Sequence, residues 1–135
     1  MAKASGLGVT TLSVDDNTGT PQDIRNDVTN WQMSTPRAVQ DVTGVDKSAI
    51  ERLLLLADFS ITLNGVYNNA AGKSHAVFKT VPSTSVLRTV SITINTTSLP
   101  NECLFTDYAL TRAASGELTW SAPGVLADGT VPTWA

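Results

Sequence analysis

Three stretches of this chain alternate apolar and polar residues with a period of two, and that pattern restricts the fold more than any other feature. Between Ala57 and Leu63, the residues Ala57, Phe59, Ile61 and Leu63 share one face and Asp58, Ser60 and Thr62 the other, with Asn64-Gly65 as the expected stop. Within Val86 to Asn95, Val90, Ile92 and Ile94 alternate with Thr89, Ser91, Thr93 and Asn95. Leu118, Trp120 and Ala122 alternate with Glu117, Thr119 and Ser121 ahead of a second expected stop, Pro123-Gly124. Successive strand side chains point to opposite faces, so each stretch predicts a strand with one buried and one polar face.

Weaker strand signals cover Val9 to Val14, Val28 to Ser34, Ala38 to Thr43 and Leu104 to Arg112, the last apolar on both faces. Nineteen Thr and thirteen Val place the composition on the β-branched side, which favours pleated surfaces over helices. Two short helices are expected between strands. Ser48 and Glu51 have capping-box spacing ahead of Arg52 to Leu56, and Ser74 precedes a turn through Val81 that Pro82 must end. Loops are marked by Asp15 to Gly19, Asn68 to Gly72 and Ala127 to Gly129. The expectation is a single domain over 1–135: an all-β antiparallel sandwich or barrel of about seven strands with one or two short helices.

Composition excludes several chemistries. One cysteine, Cys103, cannot form an internal disulfide or a thiolate-rich zinc site, and one histidine, His75, rules out multi-histidine metal centres. The net charge of -3 argues against a protein that wraps nucleic acid, whose footprint is basic. The longest apolar run, Leu53 to Ala57, falls far short of the roughly 20 residues that span a bilayer. Met1 to Gly6 has no apolar signal core, so a soluble domain made inside the cell is expected. Charge is also segregated: residues 1–46, 47–88 and 89–135 carry -3, +3 and -3. That pattern fits either complementary surfaces on identical subunits or internal pairing and solvation.

No catalytic constellation emerges. Gly72-Lys73-Ser74 resembles the end of a phosphate loop, but Tyr67 stands where its first glycine is required. No serine lies in a glycine-flanked elbow that could recruit His75, and Cys103 beside Leu104 and Phe105 reads as a small buried hydrophobe. Asp15, Asp16, Asp23 and Asp27 lack calcium-loop spacing, and Asn95-Thr96-Thr97 is a chance sequon in a chain without a secretion signal. Trp31, Trp120 and Trp134 would make a carbohydrate platform if they shared a face. Alternation puts Trp120 in the core, and Trp134, close to residue 135, needs a docking surface on its own domain or a neighbour's.

The run Ser34-Thr35-Pro36-Arg37, Asp41 to Ala49, Glu51-Arg52-Leu53 and the strand Ala57 to Leu63 resembles the major tail tube proteins of long-tailed bacteriophages. So does the ending Gly116 to Gly124 with Asp128-Gly129, and the length and element order agree over nearly the whole chain. The resemblance implies a virion tail subunit without catalytic or cofactor residues. It would be made in the bacterial host cytoplasm and would assemble with itself and other tail proteins. Its hexameric rings would stack into a tube through which DNA passes without specific binding, and it would not enter a membrane. An N-terminal arm (1–8), an inter-subunit loop (37–56) and a C-terminal tail (123–135) would make the contacts. Arg37, Asp46, Lys47, Glu51, Arg52, Leu54 and Trp134 are the contact candidates.

Stacked rings need head-to-tail contacts, which propagate open filaments. A lumen that lets DNA slide should avoid phosphate-binding cations, so the polar faces, including Thr89, Ser91, Thr93 and Asn95, belong on the lumen or outer wall. The alternatives are a β-sandwich carbohydrate-binding module, another phage ring component such as a tail terminator and, more distantly, a hydrolase.

Overall fold

The computed structural model describes residues 3–135. Each alternating stretch becomes a strand whose apolar face turns inward. β6 (Ser60–Val66) buries Ile61 and Leu63, β7 (Arg88–Ile94) buries Val90 and Ile92, and β10 (Leu118–Leu126) buries Trp120 and Ala122. The other strands are β1 (Val9–Asp15), β2 (Pro21–Asp23), β3 (Val28–Ser34), β4 (Arg37–Asp41), β5 (Arg52–Ala57), β8 (Thr97–Phe105) and β9 (Ala109–Arg112). One antiparallel sheet runs β2-β1-β7-β8-β10-β6-β3 with β9 also paired to β10, while β4 and β5 form a separate two-stranded ribbon.

The large sheet curls over its own core. Leu12 and Val14 near one end of the strand order and Ile61 and Leu63 near the other belong to one cluster, with Trp31 and Met33 of β3 packed against it. β1 and β3 line a common cleft of about 480 Å³, so the two ends of the sheet approach each other. The short helix α1 (Ser74–Phe78) contributes Val77 and Phe78 to the same core. Phe78 lies 5.1 Å from both the Phe105 and Trp120 rings. The fold is thus all-β and sandwich-like with a short helix, as the alternation predicts.

Buried polar groups fasten the helix to the sheet. Asp27 accepts the Ser74 amide at 3.0 Å and the Asn68 side-chain amide at 2.9 Å, satisfying a helix-start donor from a distant loop. Arg88 is 1% exposed and donates to the carbonyls of Asp15 (3.0 Å) and Val77 (2.9 Å) and to Thr80 Oγ1 (2.8 Å). Burial lowers its pKa, against the opposing attraction of Asp16 and Asp15.

Several sequence expectations are corrected. Arg52 to Leu56 is strand, not helix, because its residues pair with Arg37–Asp41, and the Glu51 amide goes to Thr43 Oγ1 at 2.8 Å instead of a capping box. A two-turn helix is marginal alone, whereas pairing satisfies the same backbone groups. Ser74 starts α1 without capping it through its side chain, and the helix stops at Phe78 rather than continuing to Val81.

Asn64-Gly65 does not end β6. Gly65 stays in the strand because Trp120 lies against it: an added Cβ would sit 2.7 Å from Trp120 Cζ2 and also collide with the Asp27 carbonyl. Nor does Pro123-Gly124 end β10. Pro123 falls where one edge of β10 passes from β9, paired up to Ser121, to β8, paired from Gly124. Its missing N–H therefore interrupts no ladder, and its carbonyl accepts the Thr106 amide at 3.1 Å. Leu104 to Arg112 divides between the end of β8 and β9, and β2 and the start of β8 are strands that alternation did not reveal.

Candidate assembly surfaces

The β4–β5 ribbon stands outside the core. Every residue of β4 and all but Ala57 of β5 are exposed, including Val39, Leu53, Leu54, Leu55 and Leu56, the last at 86%. Local bonds hold it. Arg37 donates from Nε (3.2 Å) and Nη2 (2.8 Å) to the Leu55 carbonyl, and Asp41 accepts both the amide and hydroxyl of Thr43 at 2.9 and 2.6 Å. Those two donations, the hydroxyl's first, pull the Asp41 pKa below its ordinary value. At the root, the Asp58 amide bonds the Pro36 carbonyl at 2.9 Å.

Six of the seven contact candidates lie on this arm or its loop, all exposed: Arg37, Asp46, Lys47, Glu51, Arg52 and Leu54. Asp46 and Lys47 pair loosely with each other at 3.9 Å. Trp134 is on a different element. It is 49% exposed, and the next residue, Ala135, exchanges two backbone bonds with Ser98 of β8 at 2.9 and 3.1 Å. The tail therefore begins after Leu126 and docks on its own sheet. At the other end, Gly6–Gly8 form a 3₁₀ turn capped by Ser5; residues 1 and 2 of the expected arm lie outside the described residues. The expected contacts omitted the arm's other apolar residues, although four consecutive leucines without an intervening polar residue were a visible signal.

The outward face of the large sheet is rich in hydroxyl and amide groups, with Leu104 and Val125 as an exposed apolar pair. Cross-strand pairs there are Thr11 with Thr93, Ser13 with Ser91, Thr93 with Ser98, Ser121 with Asn64, Thr62 with Gln32 and Ser60 with Ser34. Thr89, Ser91 and Thr93 lie on this face, opposite the buried Val90 and Ile92, and Asn95 occupies the exposed β7–β8 turn. No outward-facing position of β1, β3, β6, β7, β8 or β10 bears Lys or Arg; Asp15 and Glu102 supply its acidic charge.

The groups considered for chemistry are placed structurally. Cys103 is fully buried and desolvation, with a smaller push from Glu102 and Asp128, raises its pKa to about 12, so it is a thiol at neutral pH. His75 Nδ1 is 3.2 Å from Tyr108 Oη beside the aromatic core. Burial first, then Tyr67 and Asp27, raises the Tyr108 pKa to about 12. Asp16 organises its own turn, accepting from Thr18 Oγ1 at 2.7 Å and the Thr20 amide at 3.1 Å. Trp120 is buried, so the three tryptophans form no common platform. No group of three His, Cys, Asp or Glu that could hold a metal exists among the described residues.

No protein-family model and no curated protein matches the sequence. Solved structures do. A chain of the virion of a native gene transfer agent particle superposes with a TM-score of 0.75 at 16% identity, covering 97% of this chain and 99% of that one. A chain of the tail of an empty gene transfer agent particle, described with C6 symmetry, gives 0.73 at 17% identity over 98% of both. At such identities the likeness establishes a shared fold over the full length.

Proposed function

We propose that the chain is a non-enzymatic structural subunit of a phage-type tail, assembling as hexameric rings that stack into a tube for DNA delivery. The observation that carries this reading is the end-to-end fold match with a chain from a C6-symmetric tail, over 98% of both molecules. Two features of this chain support it. The β4–β5 arm exposes apolar side chains that its own domain does not cover, which is expected of a subunit that completes its packing in an assembly. The hydroxyl- and amide-rich sheet face has no cationic side chain to hold phosphates, as a DNA conduit requires.

Negative-stain microscopy of the purified protein at rising concentration tests the reading. It predicts tubes whose end views show six-fold rings. Single rings that never stack would favour a terminator-type component, and monomers that bind sugar saturably would favour the carbohydrate module.

A further inference from the structure

We infer that Asn64-Gly65 is a latent deamidation site that the sheet holds inert, so that the chain is chemically durable when folded and short-lived when unfolded. The inference is independent of the tail-subunit reading. Asn64-Gly65 is the one Asn-Gly step in the sequence. A glycine that follows asparagine has no Cβ to hinder its amide nitrogen, which can attack the Asn side-chain carbonyl carbon. The new N–C bond closes a succinimide ring, and the side-chain nitrogen leaves as ammonia, carrying the amide proton. Water then opens the ring at either carbonyl, giving aspartate or isoaspartate, the second with an extra methylene in the backbone.

The fold fixes the two residues for unrelated reasons. Gly65 admits no side chain, because a Cβ would collide with the Asp27 carbonyl and the Trp120 ring. Asn64 lies between Asn30 of β3 and Ser121 of β10, and its Nδ2 donates to Asn30 Oδ1 at 2.9 Å. Together these demands set a labile step inside β6, and the same placement blocks the reaction. Ring closure requires the Asn64 backbone to swing out of its extended conformation, yet β6 is paired on both edges there. The Thr29 hydroxyl adds a hold on the same peptide, 3.3 Å from the Asn64 carbonyl oxygen. A cleft of about 360 Å³ lined by both residues admits water, so conformation rather than hydration is limiting. Reaction must wait for both ladders to open. Once isoaspartate forms, its extra methylene offsets the rest of β6, parting Gly65 from Trp120 and the Val66 amide from the Asp27 carbonyl. A chain modified while unfolded is barred from refolding.

The test holds the full chain in mildly alkaline buffer with and without urea and follows position 64 by peptide mass mapping. In urea, Asn64 should convert faster than every other asparagine, and in the native chain at least about a hundredfold more slowly than in urea. Equal rates in the two states, or no preference for position 64 in urea, would overturn the inference. When urea is removed after timed incubation, isoaspartate at 64 should be confined to chains that fail to refold. Its presence in equal measure in refolded chains would overturn the barrier to refolding. Asn64→Ser, which keeps Asp128-Gly129, should hold its refolding yield over the same incubation, whereas a loss equal to that of wild type would place the lesion elsewhere and overturn the assignment to Asn64.

Discussion

The large sheet and the β4–β5 arm are both antiparallel β-structure, yet they obey opposite rules. In the sheet, one face of each principal strand is apolar and disappears into a shared core. In the arm, both faces of β5 are apolar and almost nothing is covered. The sheet needs no second molecule, because its curl brings the inward faces of both ends together. The arm is held by backbone pairing, the Arg37–Leu55 bonds and the Asp41–Thr43–Glu51 closure, which fix its shape without burying its leucines. An isolated two-stranded ribbon is at best marginal in water. Strand pairing thus accounts for both regions, but only the sheet has a local reason to be apolar.

Substitutions in the sheet should cost stability in ways that substitutions in the arm do not. The largest effect is expected for Gly65→Ala, whose Cβ would drive into the Trp120 ring and the Asp27 carbonyl. A loss of about 3 kcal/mol or more in urea unfolding is expected, since neither neighbour is free to move. Arg88→Ala should cost about 2–4 kcal/mol in the same assay, because it opens a cavity and leaves the Val77 carbonyl without its donor. By contrast, Leu54→Ser in the arm should change unfolding by no more than about 0.5 kcal/mol, as for surface sites generally, while impairing assembly. A large loss of subunit stability there would erase the distinction between the two regions.

Thr96 sharpens the comparison in the favourable direction. With Asn95 it forms the two-residue β7–β8 turn, and both have positive φ, 46° and 74°. A β-branched residue is strained there, so Thr96→Gly should stabilise the domain by about 0.5–1 kcal/mol in thermal or urea unfolding. The smallest effect concerns acid. The Thr18 hydroxyl chiefly, with the Thr20 and Thr18 amides and Gln22, lowers the Asp16 pKa from 3.8 to about 2. A depressed carboxylate pKa gives stability that is complete above about pH 4 and fades as pH falls towards 2. Since Asp16 is largely solvated, the contribution is a few tenths of a kcal/mol. Comparing wild type with Asp16→Asn across that window should show the difference shrinking with acid.

The body of the fold was legible because burial imposes a period: Phe59, Ile61, Leu63, Val90, Ile92, Trp120 and Ala122 were all placed inward by alternation alone. What escaped was set by contacts between distant segments. Gly65 reads as a turn residue until Trp120 is known to lie against it, and Pro123 reads as a stop until β10 is seen to change partners there. Of the arm, Ala38 to Thr43 reads as strand, but Arg52 to Leu56 reads as helix because capping-box spacing and a leucine run are helical signals locally. Pairing with Arg37–Asp41, which no local pattern announces, decides the outcome. The expectation that the arm is a contact region rests on resemblance alone. Its two-faced apolar character could have been read from Leu53 to Leu56 once they were taken as a strand.

Amide hydrogen exchange, compared between free subunits and assembled material, decides whether the arm completes its packing on a neighbouring copy. Amides of 37–57 should exchange quickly in the free subunit and become protected on assembly, while those of β6, β7 and β10 stay protected in both. Equal protection of the arm in the two states would contradict it, because the arm would then owe nothing to a neighbouring copy.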